Sequence, residues 1–423
     1  MRRSALVAVT AAAALTLAAC GSADDNGEDP AGETDTPVEE TEEDGDAETD
    51  AEEVADGGTV TIWVDDTRQQ AVADAAQTFE SDTGVEVEIV EKNFDDIRPD
   101  FLAQVPTGEG PDLTVGAHDW LGEFTVNGVV SPLELDAAAA EFEDVSLEAF
   151  TYDGQVYGLP YAIENIALFR NTELTDVVPS TFDEMVEAGE DAGADYPFLI
   201  QISEEGDPYT MYPFQTSFGA PVFEMNEDGS YSADLGMGGE GGNAFAEWLG
   251  EQGAEGNLNT AWEYDIVVEA FANGESPYLV GGPWMLADFA DLDLSIEQIP
   301  SAGDEPAQPF SGVQGFYLSA QSENTIIASQ FLIDYMATDE AQIALYEAGD
   351  RTPALISAAE TIAEDPIAAG FREVGQDAVP MPSIPEMGEV WAFWGVTEAQ
   401  IINGADPVDT WQDMVGNIED AIG

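Results

Sequence analysis

The fold is decided by residues 59–90, "TVTIWVDDTRQQAVADAAQTFESDTGVEVEIV". The first six residues have the pattern of a buried strand. Apolar residues then recur at i, i+3, i+4 and i+7, which is one face of a helix: Val72, Ala75, Ala76 and Phe79. Gly84 ends this helix, and "VEVEIV" alternates as a second strand. The order strand, helix, strand predicts an α/β protein in which helices cover a parallel sheet.

The N-terminus has the layout of a secretory signal peptide, which we predict over residues 1–19. Arg2 and Arg3 precede an apolar run that is too short to span a bilayer, and small residues follow it. The ending "LAAC" resembles the bacterial lipobox, which implies cleavage before Cys20 and lipidation of its sulfur. An incidental thiol in a leader that is removed whole is the alternative. The paired arginines leave Sec and twin-arginine export both open.

Cys20 is the only cysteine of the chain, so no intramolecular disulfide can form. Residues 20–58 are crowded with acids and hold no Lys or Arg. Such a segment cannot bury enough apolar surface to offset its ordering entropy, so we predict a disordered tether. The expected location is the extracytoplasmic face of the cell membrane, held by a lipid anchor.

The chain carries 88 acidic residues against 8 basic ones, a formal net charge of −80. Binding to nucleic acid or to an anionic membrane surface needs clustered Lys and Arg, so this composition argues against both partners. A solvated acidic shell, as in proteins adapted to high salt, is the simplest interpretation. Pairs of carboxylates will also occur by chance in such a sequence, so they carry little information about catalysis.

Six blocks of the sequence resemble the maltose/maltodextrin-binding branch of the extracellular solute-binding proteins. They occur in the order of that family from about residue 59 to residue 422: "TIWVDDTRQQAVADAAQTFESDTGVEVEI", "GEGPDLTVGAHDWLGEFTVNGVVSPL", "GLPYAIENIALFRN", "LVGGPWMLADF", "PFSGVQGF" and "MPSIPEMGEVW". The resemblance implies a two-lobed periplasmic-binding-protein-like (type II) fold with a central ligand cleft and a hinge. The N-terminal lobe would comprise residues 59–163 and 311–365, and the C-terminal lobe residues 164–310 and 366–423. Such lobes close on a ligand by hinge motion.

The resemblance also implies the residues of a sugar site. A pyranose presents a C–H face that packs on aromatic rings and a rim of hydroxyls that need hydrogen-bond partners. Arg68 stands where the family has a lysine, and Met381 belongs to the last block. Of the two tryptophans in that block we prefer Trp391 over Trp394 as the stacking ring. The full set of expected sugar-binding residues is Asp65, Asp66, Arg68, Asp119, Trp120, Glu164, Asp207, Tyr209, Trp284, Gln314, Met381, Trp391 and Trp394.

Two departures from the family lie in "GAHDW". Gly116 replaces a family tryptophan and Trp120 replaces an arginine, so the size and linkage of the sugar cannot be carried over. Trp120 is expected to be a stacking platform, with core packing as the alternative. His118 is the only histidine of the chain. We expect it to orient the loop rather than to act in a catalytic or metal site, which would need further groups that nothing nearby identifies.

The expected function is that of a lipid-anchored, monomeric receptor of an ABC sugar importer, which captures a maltodextrin-like oligosaccharide and delivers it to membrane permease subunits. The chain has no Gly-rich loop ending in Gly-Lys-Ser/Thr, so ATP hydrolysis would lie elsewhere. We expect no cofactor, no metal and no enzymatic activity. Two alternatives remain: the same role for another di- or oligosaccharide, such as trehalose or a plant glycan, and a secreted glycosidase that uses Asp119 and Glu164.

Overall fold

The computed structural model describes residues 58–226 and 230–423. The predicted signal peptide, Cys20 and the predicted tether except Gly58 lie outside these residues. Across the ranges that are described, no helix is both long enough and apolar enough to cross a bilayer.

The strand, helix and strand predicted from residues 59–90 are confirmed. Strand β1 (Thr59–Val64) leads into helix α1 (Asp66–Thr83), and strand β2 (Glu86–Glu91) pairs with β1 in parallel. The predicted apolar face of α1 packs inward, with three of its four residues fully buried: Val72, Ala76 and Phe79. Gly84 ends α1 in the left-handed conformation, with φ 76°, which glycine adopts at little cost.

The remaining elements follow in chain order. The strands are β3 (Leu113–Ala117), β4 (Val130–Ser131), β5 (Thr151–Tyr152), β6 (Gln155–Val156), β7 (Gly158–Glu164), β8 (Ala167–Asn171), β9 (Leu199–Ile200), β10 (Phe223–Met225), β11 (Tyr231–Leu235), β12 (Tyr278–Gly281), β13 (Leu294–Glu297), β14 (Phe310–Ser319), β15 (Thr352–Pro353) and β16 (Val379–Pro380). The α-helices are α2 (Phe94–Gln104), α3 (Leu121–Val126), α4 (Asp144–Ala149), α5 (Phe182–Ala192), α6 (Pro208–Ser217), α7 (Gly239–Glu255), α8 (Tyr264–Ala272), α9 (Thr325–Gln330), α10 (Asp339–Gly349), α11 (Ile356–Thr361), α12 (Pro366–Gly375), α13 (Met387–Ile402) and α14 (Pro407–Ile422).

The first sheet has the strand order β15-β7-β14-β3-β1-β2, and β4 and β16 also pair with β14. Strand β1 is parallel to β2 and to β3, whereas β14 runs antiparallel to β3 and β7. The buried apolar residues around this sheet, which we call the first core, lie within residues 60–162 and 313–358.

The second sheet has the strand order β13-β8-β12-β9. Strand β8 is antiparallel to both of its neighbours, and β9 is parallel to β12. Its buried apolar residues, the second core, lie within residues 166–310 and 371–418.

Strands β7 and β14 connect the two cores. Strand β7 ends at Glu164, two residues before the second core begins at Ile166. Strand β14 begins in the second core, where Phe310 stacks on Tyr212 with ring centroids 3.7 Å apart, and it enters the first core at Val313. Each core is therefore built from two stretches of chain. The division into lobes at the residues named above stays a prediction.

A close backbone approach fixes the loop before α6 against helix α13. Gly206 has φ 77°, and a Cβ at this position would overlap the carbonyl group of Gly395. Gly193 has a similar φ of 72°, but no atom of the described residues lies within 4 Å of the place a Cβ would take. The two glycines thus share their conformation and differ in available space.

We predict that Gly206→Ala destabilises the protein more than the matched control Gly193→Ala does. Both substitutions strain the backbone, at a cost of about 1–3 kcal/mol, and Gly206→Ala adds overpacking of roughly 1–3 kcal/mol. The free energy of unfolding in denaturant measures both variants. Equal losses would show that the loop and α13 can move apart freely.

Candidate ligand-binding cleft

A cavity of about 900 Å³ lies where the ends of strands from both sheets meet. Strands β1 and β3 end next to it, and Asp65 and Asp119, which follow these strands, line it. Helix α6 contributes to the lining from the second core. The structure places twelve of the thirteen expected sugar-binding residues in its lining: Asp65, Asp66, Arg68, Asp119, Trp120, Glu164, Asp207, Tyr209, Trp284, Gln314, Met381 and Trp391. These residues are far apart in sequence, and the fold brings them to one place.

Trp394 is the exception and corrects the expected set. It is fully buried, and its Nε1–H donates to the side-chain oxygen of Gln215 at 3.0 Å. Trp391, one turn earlier on α13, is half-buried and lines the cavity, with its ring stacked on that of Trp394 at 5.4 Å. Trp394 therefore supports Trp391 from the core and offers no surface to a ligand.

Glu164, at the end of β7, organises three segments of the chain. Its Oε1 accepts a hydrogen bond from the amide of Gln314 at 2.9 Å, and its Oε2 accepts one from Nε of Arg351 at 2.6 Å. The Arg351 guanidinium also lies over the ring of Trp284, 5.4 Å from its centroid. The Glu164 carboxylate thus holds both strand β14, through Gln314, and Arg351, whose guanidinium contacts the Trp284 ring on the side of the second core.

Arg68, in the first turn of α1, is buried among its partners. Its Nη1 pairs with Asp65, its Nε donates to the hydroxyl of Tyr161, and its guanidinium lies over the ring of Phe94 at 4.8 Å. The remaining nitrogen, Nη2, has no hydrogen-bond partner within the described residues, and Arg68 is one of the residues that line the cavity. Although Arg68 lies at the start of a helix, it is therefore not a surface residue.

Three carboxylates of the lining have a raised pKa: Asp95, Asp119 and Asp207. Burial is the main cause of the raised pKa of Asp95, and the neighbouring Asp96 adds to it. Burial raises the pKa of Asp119, whose Oδ2 accepts a hydrogen bond from Nε1 of Trp391 at 3.0 Å. Burial also raises the pKa of Asp207 to about 6, although Asp207 caps helix α6. Asp207 accepts there from the backbone N–H of Thr210 at 3.2 Å and from its hydroxyl at 2.8 Å.

Four buried polar atoms of the lining make no hydrogen bond within the described residues. They are Nη2 of Arg68, Oδ1 of Asp119, the hydroxyl of Tyr209 and Oε1 of Gln314. Leaving such a group unpaired costs about 1–3 kcal/mol. The set contains a donor, two acceptors and a hydroxyl that can do both, which suits a ligand rich in hydroxyl groups.

The aromatic wall on the side of the first core differs from the expected one. Trp120 is only 7% exposed and packs on Phe94 with ring centroids 5.1 Å apart. Its ring lies over Gly116, where a Cβ would come within 2.6 Å of it. The half-buried ring is that of Phe94, which the sequence analysis missed. Trp120 contributes to the wall mainly by supporting Phe94, so core packing describes most of its surface.

The basic residues of the described ranges are concentrated at the cavity. Four of the six line it, namely Arg68, Lys92, Arg98 and Arg351, and each pairs with a carboxylate. Only Arg68 was among the residues expected from the sequence. The scarcity of cations in this chain was a signal that could have found the other three, because a rare residue type is kept where it is needed.

No group of three or more His, Cys, Asp or Glu side chains is arranged to hold a metal ion in the part of the chain that the structure describes.

The known proteins to which this chain is similar include several that are named for binding oligosaccharides. The chain is 29% identical over 358 residues to the maltodextrin-binding protein of Bacillus subtilis (strain 168), which covers 80% of this chain and 84% of that protein. It is 26% identical over 360 residues to the galactooligosaccharide-binding protein of the same organism, over 79% and 82% of the two chains. Among solved structures, that of the Thermus thermophilus maltotriose binding protein bound with maltotriose superimposes with a TM-score of 0.79 at 33% identity. It covers 86% of this chain and 100% of that one.

The model of the family described as bacterial extracellular solute-binding protein matches residues 74–370. Together with the structural match, this confirms the predicted α/β, two-lobed type II fold with a central cleft. The chain belongs to the bacterial extracellular solute-binding protein family.

Proposed function

We propose that this protein is the substrate-binding receptor of an ABC sugar importer and that its ligand is a maltodextrin-type oligosaccharide. The observation that carries the proposal is that four buried polar atoms without a hydrogen-bond partner belong to residues that line the cavity, which aromatic rings also line. Sugar hydroxyls would pair with Arg68, Asp119, Tyr209 and Gln314. The C–H faces of the sugar would pack on rings such as Trp284 and Trp391.

The size of the cavity supports an oligosaccharide. Its volume of about 900 Å³ lies toward the upper end of the roughly 300–1,000 Å³ typical of small-molecule sites. The named ligands of two relatives, a maltodextrin and maltotriose, are of this class. A third relative is named for galactooligosaccharides, so the choice between glucose and galactose units is open to experiment.

The charge of the lining supports a neutral ligand. Nine acidic residues line the cavity, and its four basic residues are each paired with a carboxylate. An anionic sugar, such as a uronate or a sugar phosphate, would enter a site of the same sign. We therefore propose uncharged sugars and exclude acidic ones from the ligand class.

The cleft would close by movement of two lobes, each built around one of the two cores. We propose lobes of residues 59–163 with 311–365 and of residues 164–310 with 366–423, on the grounds that the first and second cores fall within these ranges. The connecting strands β7 and β14 would serve as hinges. A closed, liganded form is what permease subunits would distinguish from an open one.

The sequence is the basis for the proposed partners and the proposed cellular location of the protein. The lipobox-like "LAAC" supports a lipid anchor at Cys20 on the extracytoplasmic face of the cell membrane, and the family resemblance supports ABC permease subunits as partners of a monomeric receptor.

We infer that the protein does not hydrolyse its ligand. Both oxygens of Glu164 are held by Gln314 and Arg351, and Asp119 accepts from Trp391, so the two carboxylates considered for a glycosidase serve to build the cleft. Members of this family are named for binding solutes.

Calorimetric titration tests the ligand class. We expect maltotriose to bind with a dissociation constant in the micromolar range, roughly −8 kcal/mol, and a sugar phosphate not to bind. A β-linked galactotriose and trehalose are the comparison ligands. Tighter binding of either would replace the maltodextrin assignment and keep the receptor role. Chromatography of the same samples should recover intact sugar, and release of monosaccharide in proportion to protein would contradict the receptor role.

Two tyrosines of helix α6 form a matched pair for testing the unpaired groups. Tyr209→Phe removes the unpaired hydroxyl at the cavity and should weaken ligand binding about tenfold, the worth of one net hydrogen bond. It should raise the free energy of unfolding of the ligand-free protein, because an unpaired buried hydroxyl costs about 1–3 kcal/mol. Tyr212→Phe alters a buried ring in the second core and should leave the affinity unchanged. Calorimetry and denaturant unfolding measure both variants. A Tyr209→Phe variant that binds as tightly as the wild type would remove this hydroxyl from the site.

Protonation of Asp207 should change ligand affinity and protein stability in opposite directions as the pH falls. Its folded pKa of about 6 lies above the unfolded value, so the folded protein takes up this proton first as the pH falls. Relative to Asp207→Asn, wild-type stability should therefore rise between pH 7 and pH 4. Ligand affinity should fall over the same range, because a neutral carboxyl is a weaker acceptor than a carboxylate. Denaturant unfolding and calorimetry at several pH values, on both proteins, measure the two trends, and parallel trends would contradict the assignment.

A further inference from the structure

His118 lies directly behind the cleft without lining it. It follows strand β3, its side chain is buried, and its neighbours Ala117 and Asp119 both contribute to the lining. The position is therefore one from which a side chain can arrange the site without touching a ligand.

Both ring nitrogens of His118 are occupied by backbone groups. Nδ1 accepts a hydrogen bond from the N–H of Val313 at 3.0 Å, and Nε2 lies 3.0 Å from the carbonyl oxygen of Met381. A carbonyl can only accept, so Nε2 carries the proton and Nδ1 does not. Protonation of the ring would turn Nδ1 into a donor facing another donor. The contacts thus specify one neutral tautomer and leave no free nitrogen for a metal or a substrate.

The two partners of the ring belong to different cores. Val313 is part of β14 in the first core, and Met381 belongs to the second core and lines the cavity. Met381 also precedes helix α13, which carries Trp391. Through its two nitrogens, His118 therefore connects the end of β3 to the segment that delivers a ring to the cleft.

Two further contacts hold the same pair of segments together. Trp391 donates from Nε1 to Oδ2 of Asp119. Gly122, in α3, packs so closely on the chain at residues 383–385 that a Cβ would lie 2.5 Å from the backbone nitrogen of Pro385. The segment of residues 381–391 is thus fixed against the β3–α3 region at three points, of which the histidine contact lies nearest the crossing strand β14.

We propose that His118 is a positioning residue of the cleft: as a neutral imidazole protonated at Nε2, it holds the segment of residues 381–391 in register with Asp119. The effect on ligand affinity rests on the proposed function, whereas the tautomer and its contacts do not. The unpaired oxygen of Asp119 and the ring of Trp391 come from opposite cores, and a ligand that contacts both needs their separation to be fixed.

The electrostatic surroundings agree with a neutral ring. Burial lowers the pKa of His118, and this outweighs the nearby carboxylates of Asp119 and Glu164, which act to raise it. The groups of β14 and of the segment of residues 381–391 that hydrogen-bond to the ring are a backbone amide and a backbone carbonyl.

Nuclear magnetic resonance tests the tautomer without a ligand. Because the chain has one histidine, ¹⁵N-histidine labelling gives a single imidazole signal set. We expect the Nε2–H tautomer at pH 7, and protonation only below the roughly 6.5 of an unperturbed histidine. The Nδ1–H tautomer or an imidazolium at pH 7 would overturn the proposal, whether or not any sugar binds.

Two amide variants test the positioning effect. His118→Gln can place an N–H near Nε2 and reach Met381, whereas His118→Asn is one methylene shorter and keeps only an acceptor for Val313. We expect His118→Asn to weaken maltotriose binding about tenfold, and His118→Gln to stay within about threefold of the wild type, since one net hydrogen bond is at stake. Thermal unfolding shows whether each variant is folded. If either variant does not fold, the tautomer measured in the labelled wild-type protein tests the proposal.

The outcomes separate the two proposals. Wild-type binding with both variants equal to each other would overturn the positioning role and keep the receptor. If the wild type binds none of the sugars tested, the proposed receptor function is wrong. The tautomer measurement then remains as the test of the role of His118.

Discussion

The carboxylate of Glu164 is the interaction on which the cleft depends. It ends one connecting strand, binds Gln314 on the other and pairs with Arg351, which in turn reaches Trp284 in the second core. A buried carboxylate is costly unless both oxygens are satisfied, so this arrangement tolerates little displacement of any partner. Glu164 thus fixes the relative positions of cleft residues that come from both cores, at a place close to the strands that connect the cores.

Local patterns in the sequence predicted the first strand, helix and strand, whereas the two-lobed architecture was implied by the family resemblance. The strand, helix and strand of residues 59–91 were read from period alone, and Gly84 marked a helix end that the structure confirms. The members of the cleft lining came from the family resemblance, since nothing local connects Asp65 to Trp284. Trp391 was preferred over Trp394 as the stacking ring, but both stayed in the expected set. Residues three apart on a helix point in neighbouring directions, and only tertiary packing decides which one lines the cavity.

The missed residues share a physical reason. Arg351 acts through a partner 187 residues away, and Phe94 acquires its role by packing on Trp120, which itself requires the absence of a side chain at Gly116. The ring that Phe94 contributes to the lining thus depends on tertiary contacts, which no local sequence pattern predicts.

The concentration of cations in the cleft also determines how the protein responds to its medium. Charges on the acidic surface are screened by dissolved ions over about 8–10 Å, so repulsion across that surface varies with salinity. The pairs of Arg68 with Asp65 and of Arg351 with Glu164 are buried, and mobile ions screen them far less. The pairs of Lys92 with Asp100 and of Arg98 with Glu123 are partly exposed, so dissolved ions screen them more. The floor of the cleft, where Arg68 and Arg351 are held, is thus less sensitive to ionic strength than its rim and the acidic surface.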